Sequence, residues 1–391
     1  MRHSGVCSGS CGVWGGGRWP GVTVVMVPRE SFGFAAASLA SLYRETAYPF
    51  ELIYVDAGSP GGLRRHLEKE SREKGFRLIR RGRYQPPNQS RNLGLAEART
   101  KYVVFSDNDV IFSRGWLESL VLSAEETGAA VVGPLICEDE PHHENIHNGG
   151  GMVRVEEIEE GGEVRRHVVQ KTFLSGERVS EQPAGELGRL PCGFVEFHCV
   201  MVRRDLFGRI GPLDEGLLST REHIDLCLLA AQEGEGVVCD RQSLVTYMGG
   251  VGLRWSDVCF YMLRWSDAWD LASLEVFRGK WRLAEDWYFQ RRYRRLGERR
   301  VHALIRPVVG RLPFGRGFEP VLGVLERWAS RWLSQRYARR HPVARGSLGR
   351  HREEKRLGAG ARFLSVKLRS DGTTRRVYVD GEGSPMGGGV G

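Results

Sequence analysis

Tyr102-Val103-Val104-Phe105-Ser106-Asp107-Asn108-Asp109 is the stretch on which the fold turns. Its first five residues are aromatic, β-branched or small, too few for a helix, and predict a strand buried on both faces, as parallel sheets require. Upstream the same signature recurs. Val22–Val27 is a β-branched run ended by Pro28, and Phe50–Val55 is an apolar run ended by the turn Asp56-Ala57-Gly58-Ser59-Pro60. Helical spacing over 34–43, 63–74 and 89–99 separates these runs, with a short strand over Arg77–Arg80 and a polar loop at Pro86-Pro87-Asn88. Downstream, Trp116–Thr127 reads as a helix and Ala129–Val132 as a strand. Strict alternation predicts an open α/β sheet with right-handed crossovers. Ligands of such sheets bind beyond the carboxyl ends of the strands, so Asp56 and Asp107 are expected to face one crevice.

Composition bounds the rest. The 391 residues are 41% hydrophobic and 27% charged, which suits one large or two ordinary domains and excludes a disordered or fibrous chain. Eight cysteines, at 7, 11, 137, 192, 199, 227, 239 and 259, are scattered, which excludes a disulfide scaffold and fits a reducing compartment. No apolar run approaches the roughly 18 residues that cross a bilayer. The Gly-rich first twenty residues lack the apolar core of a signal peptide and are expected to be a flexible leader. A cytoplasmic protein, soluble or peripheral on the inner face of a membrane, is expected. The net charge of +9 is uneven: positions 277–356 carry 22 Lys and Arg against 7 Asp and Glu.

Beyond the alternating region, residues 138–190 are rich in Glu, Gly and His and predict a hairpin, 152–158 with 163–173, inserted over the site. His142, His143 and His147 lie there among acids without zinc-site spacing, and a mobile acceptor-side loop is expected rather than a dedicated zinc centre. Strands are expected over 194–202, 237–239 and 243–247, and helices over 204–209 and 221–232. The domain division reads as a catalytic unit over 21–252, a basic helical region over 253–340 and a loosely structured tail over 341–391. In the helical region Trp255, Trp265, Trp269, Trp281 and Trp287 sit among many arginines. The inner positions read as core, and the outer face as a cationic amphipathic surface for anionic headgroups. No nucleic-acid-binding motif accompanies these arginines, so no specific nucleic-acid partner is expected.

Two carboxylates one residue apart at a strand end suit a hard cation, Mg²⁺ or Mn²⁺, rather than Zn²⁺. Four elements then resemble, in order, the family-two glycosyltransferases of the GT-A fold. They are Phe50–Ser59, the run from Ser90-Arg91-Asn92-Leu93-Gly94 to Val110, Gly211-Pro212-Leu213-Asp214-Glu215, and Arg221-Glu222-His223-Ile224-Asp225-Leu226. The resemblance covers about residues 21 to 250. It implies a Rossmann-like, mostly parallel sheet with flanking helices, and an inverting, metal-dependent transfer of sugar from a UDP- or GDP-sugar to a hydroxyl of a glycan or lipid-linked glycan. A place in cell-envelope polysaccharide synthesis follows from the same likeness.

The resemblance also implies roles. Asp56 would bind the nucleotide base, with Pro28, Arg29 and Glu30 lining the same pocket; Asp107 would meet ribose or metal and Asp109 the metal; Arg91 would lie near the phosphates. Two departures stand out. The family's Asp after Glu is His223 here, so Glu222 or His223 is the expected base, with Asp225 placed as a charge at the helix start. Thr246-Tyr247-Met248-Gly249 lacks the His that many relatives bring towards the metal. The first departure sustains an alternative: a catalytically inactive, glycosyltransferase-like protein that binds glycan or membrane.

Overall fold

In a computed structural model the described residues are 13–14, 17–160, 162–249, 253–312, 317–339, 362–363 and 378–379. The expected leader over 1–20 and the tail over 341–391 fall largely outside them. The chain divides into compact units of residues 1–336 and 337–391. In the second, Arg362–Phe363 pairs antiparallel with Tyr378–Val379.

The first unit is built on a ten-stranded sheet. Its strands are β1 (Val22–Val27), β2 (Glu51–Ala57), β3 (Arg77–Arg81), β4 (Tyr102–Asp107), β5 (Val110–Phe112), β6 (Val131–Glu138), β7 (Ile146–Asn148), β8 (Arg189–Pro191), β9 (Cys199–Arg203) and β10 (Val237–Tyr247). The order is β8-β10-β6-β9-β4-β1-β2-β3, with β5 on β10 and β7 on β6. β1 pairs in parallel with β2 and β4, β2 with β3 and β6 with β10, while β9 runs antiparallel between β4 and β6. The expected mostly parallel α/β sheet is the one observed.

Alternation along β1 builds two cores. Val25 and Val27 face one, with Phe105, Ile224, Leu274 and Phe277; Val22, Val24 and Met26 face the other, with Leu39, Leu42, Trp116 and Leu120. Helices α1 (Ala35–Glu45), α2 (Gly61–Lys74), α3 (Pro87–Glu97) and α4 (Trp116–Thr127) fill the crossovers. Short α5 (Leu206–Ile210) and α6 (Glu222–Gln232) follow β9. Gly94 sets how closely α3 approaches β1, because a Cβ there would lie 2.2 Å from Val25 Cγ1. That approach carries Asn88, Arg91 and Asn92 under the sheet edge. Asn92 then pins the following motif: it donates to the Leu213 carbonyl at 2.8 Å and accepts from the Leu213 amide at 3.0 Å, while Asn88 donates to the Asp214 carbonyl at 2.8 Å.

The inserted hairpin is real, Gly151–Glu160 against Glu163–Thr172, its base held in the core by Val153 and Val168. Two expected strand boundaries differ. Residues 194–198 stand outside the ladder, which begins at Cys199, because the Phe194 amide turns back to the Gly151 carbonyl. The segments 237–239 and 243–247 form one strand, with a register shift between Asp240 and Leu244. Beyond it lie α7 (Val258–Arg264), α8 (Asp267–Trp281), α9 (Trp287–Arg294) and α10 (Glu319–Ala338). Trp265, Trp269 and Trp281 are buried, as expected of core positions, whereas Trp255 is 92% exposed. Among the described residues no helix is long and apolar enough to cross a membrane.

Candidate active site

The carboxyl ends of β1, β2 and β4 share one edge, since Val27 pairs with Asp107 and Met26 with Tyr54. Asp56, two residues past Tyr54, is buried; its carboxylate accepts from the Ser59 amide at 3.0 Å and from Arg80 Nε at 3.2 Å. Asp56 and Asp109 both bear on the buried Tyr54 phenol, whose pKa is raised by burial first and by these two charges. The base-binding and metal candidates therefore border the same tyrosine.

Asp107 is the most heavily engaged acid. Its Oδ1 accepts from Arg91 Nη2 at 3.0 Å, and its Oδ2 lies 3.0 Å from His198 Nδ1 and 3.6 Å from Arg29 Nε. Burial pushes its carboxyl up to about 6 against the pull of Arg29, Arg91 and Arg264. Asp109 differs: it is fully buried, and neither carboxylate oxygen has a hydrogen-bond partner among the described residues. Burial, then Asp107 and Glu30, raise its pKa well above the usual range. An unpartnered buried carboxylate is costly. It fits a hard divalent cation, which supplies the missing charge. Met248 donates its amide to the Asp109 carbonyl at 2.9 Å, so the segment lacking a histidine does run beside Asp109.

Arg91, expected near phosphates, is fully buried and bonds Asp107 and Asn88, with its guanidinium 4.1 Å from the Phe197 ring centre. Its guanidinium thus faces Asp107, Asn88 and Phe197 inside the protein. Pro28 and Arg29 follow β1; Arg29 lies on Asp107 and His198, and Glu30 accepts from the Trp265 indole at 2.8 Å.

Glu222 and His223 open α6. Arg221 before them has φ +73°, an uncommon left-handed backbone for a non-glycine residue. Its guanidinium is fixed by the Tyr288 hydroxyl at 2.5 Å and Gln170 at 3.1 Å, which brings hairpin and α9 together behind the site. Glu222 is buried, with Oε1 3.5 Å from Arg264 Nη2 and 4.0 Å from Arg91 Nη1, and Oε2 unpartnered among the described residues. Burial would raise its pKa, but Arg264, Arg29 and Arg91 hold it below the usual range. His223 Nε2 likewise has no partner among the described residues, and burial lowers the imidazole to about 4, so it is neutral at pH 7. Asp225 points elsewhere: Trp281 Nε1 donates to it at 2.9 Å and Lys280 Nζ at 2.7 Å, which ties α6 to α8.

Glu222 and His223 line a cavity of about 310 Å³ together with Arg29, Glu196, His198 and Arg299. Composition and motif reading had not singled out Glu196, His198 or Arg264. The Glu196-Phe197-His198 spacing, which puts two polar side chains on one side of an extended segment, was the available signal.

Residues 23–211 match the model of the family described as Glycosyl transferase family 2. The Pre-mycofactocin glycosyltransferase of Mycobacterium tuberculosis (strain CDC 1551 / Oshkosh) is 27% identical over 168 residues, 43% of this chain and 31% of that protein. The chain thus spans about a third of the length of this curated relative. Among solved structures, GalNAc-T7 with UDP, GalNAc and Mn2+ aligns at TM-score 0.45 and 15% identity, over 75% of this chain and 58% of that one. S. aureus TarS 1-349 aligns at 0.43 and 14%, over 94% and 99%. Residues 23–211, just under half of the chain, are thus similar to glycosyl transferase family 2, and they lie on the mostly parallel α/β sheet described above.

Proposed function

We propose that the protein transfers a sugar from a nucleotide-diphospho-sugar, UDP- or GDP-linked, to a hydroxyl of a glycan or lipid-linked glycan, with inversion at the anomeric carbon. The observation that carries this reading is the contrast at one sheet edge between a sealed acid cluster, with Asp109 unpartnered, and an adjoining cavity onto which Glu222 and His223 open. Asp56 and the Pro28–Glu30 segment would hold the nucleoside. Asp109, with Asp107 beside it, would hold Mg²⁺ or Mn²⁺, and such an ion stabilises charge on a departing diphosphate.

His223 is the better base. Its Nε2 is unpartnered among the described residues and lines the cavity, whereas the Glu222 carboxylate is already paired with Arg264 and Arg91. The acceptor oxygen attacks the anomeric carbon and its proton passes to His223 Nε2. The bond to the diphosphate oxygen breaks and its electron pair leaves with the diphosphate. Glu222 positions Arg264 and, through it, the cavity wall.

A membrane-linked acceptor is favoured by α10. Val321, Val324, Leu325, Trp328 and Trp332 are exposed on one helix that also carries Arg327, Arg331 and Arg336. An apolar strip flanked by arginines suits an anionic bilayer surface. Calorimetry with UDP or GDP plus Mn²⁺, followed by assay of nucleotide release from labelled donors, tests the reading. Binding without turnover would favour the inactive binder, and no binding would remove the donor assignment.

A further inference from the structure

We propose that His147, Glu196 and His198 hold one first-row divalent transition ion, at a position separate from Asp109. The inference rests on donor geometry and does not depend on the sugar-transfer reading. Glu196 Oε2 lies 3.7 Å from His147 Nε2 and 3.6 Å from His198 Nε2. One ligand atom from each residue falls within 4.8 Å of the others. Donors sharing a tetrahedral ion at ordinary bond lengths stand on the order of 3.4 Å apart, so little movement closes the set.

The outer side of each ring repeats one device. His147 Nδ1 lies 2.8 Å from Glu138 Oε2 and His198 Nδ1 lies 3.0 Å from Asp107 Oδ2. His147 is hydrogen-bonded through Nδ1 to Glu138, His198 Nδ1 lies close to Asp107 without a formed hydrogen bond, and both rings present Nε2 towards Glu196, an arrangement found among metal-binding histidines. The Tyr247 ring, 3.8 Å from His198 between centres, keeps that imidazole in place. The elements involved are unrelated in sequence: His147 lies on β7, Glu196 and His198 on the segment entering β9. Their coincidence explains why the histidine-rich loop showed no ligand spacing of its own.

Two imidazole nitrogens and one carboxylate oxygen select Zn²⁺, Co²⁺, Fe²⁺ or Mn²⁺ over Mg²⁺ and Ca²⁺. All three residues line the 310 Å³ cavity, which leaves coordination positions open to water or a bound oxygen. Arg29 Nη1 stands 3.1 Å from His198 Nε2, so the guanidinium must withdraw from that nitrogen when an ion enters. Asp107 then acts for this ion as the group that orients His198.

Titration of the metal-stripped full chain with Co²⁺, followed by visible absorption and calorimetry, tests the proposal. With excess Mg²⁺ present throughout to occupy Asp109, one Co²⁺ per chain is expected, displaced by Zn²⁺. Affinity should fall at least tenfold in His147→Ala and Glu196→Gln, and 10- to 100-fold in Glu138→Ala, a half-exposed position whose loss leaves the fold intact. Asp109→Asn should bind as the unaltered chain does. Absence of Co²⁺ uptake, unchanged affinity in Glu138→Ala and Glu196→Gln, or loss of uptake in Asp109→Asn alone would overturn it. None of these readouts involves sugar transfer, so failure here leaves the transferase reading standing.

Discussion

Around Asp107 the charged groups are buried and face one another, with Arg91 and His198 at 3.0 Å and Arg29 at 3.6 Å. Around the adjoining cavity, Glu222 Oε2 and His223 Nε2 point at space with no partner among the described residues. The two regions share Arg29, and the 4.0 Å approach of Arg91 to Glu222 joins them, but the charges are compensated differently in each. In the first, an altered side chain leaves an uncompensated ion in a low-dielectric interior. In the second it removes a group that only a substrate would meet. Substitutions on the two sides should accordingly separate stability from turnover.

The largest effect is expected for Arg91→Ala. Asp107 would lose its shortest guanidinium contact, and stability should fall by about 3–5 kcal/mol, read as a lower urea midpoint. A midpoint within error of the unaltered chain would show that the sealed cluster is not one. His223→Gln should leave the midpoint nearly unchanged while lowering kcat by about 10²- to 10⁴-fold. Equal kcat would return the base to Glu222.

The same variant sharpens the comparison through pH. His223 titrates near 4 in the fold against an ordinary value near 6.5 when unfolded. Between these values the unfolded chain binds the extra proton, so this residue costs stability progressively as pH falls from about 6.5 to about 4. Thermal melts of His223→Gln should thus lose less stability over that interval than the unaltered protein. A larger loss would contradict an imidazole kept neutral in the fold.

Asp225→Asn should cost about 1–2 kcal/mol, by weakening the charge-assisted bonds to Lys280 and Trp281, with kcat retained. Loss of kcat without loss of stability would return Asp225 to the reacting groups. The smallest effect on stability, within about 0.5 kcal/mol, is expected for Trp328→Glu with Trp332→Glu on exposed positions of α10. The double variant should nevertheless lose sedimentation with anionic vesicles, and undiminished sedimentation would exclude α10 as the contact.

The sheet was legible because β1 and β4 are continuous apolar runs, and a parallel strand covered on both faces can be written no other way. Asn92 and Gly94 were legible as a motif, and the structure supplies their reason in the Leu213 bonds and the close approach to Val25. What the sequence hid depends on long-range meetings. Arg264 reaches Glu222 across 42 positions, and Arg29 reaches His198 across 169. Arg91 read as a phosphate-facing cation because nothing local reveals that Asp107, 16 positions on, already occupies it. The exposed strip on α10 escaped for the opposite reason: amphipathic spacing says which face is apolar, not whether anything covers it.

Under the proposed function Asp109 and His223 serve one reaction. The direct measurement is release of labelled UDP or GDP from a panel of nucleotide-sugars, with Mn²⁺ and a glycan acceptor, by the unaltered chain, Asp109→Asn and His223→Gln. Acceptor-dependent release is expected from the unaltered chain, and at least a hundredfold slower release from both variants, each folded by circular dichroism. Undiminished release by either variant would contradict that shared role.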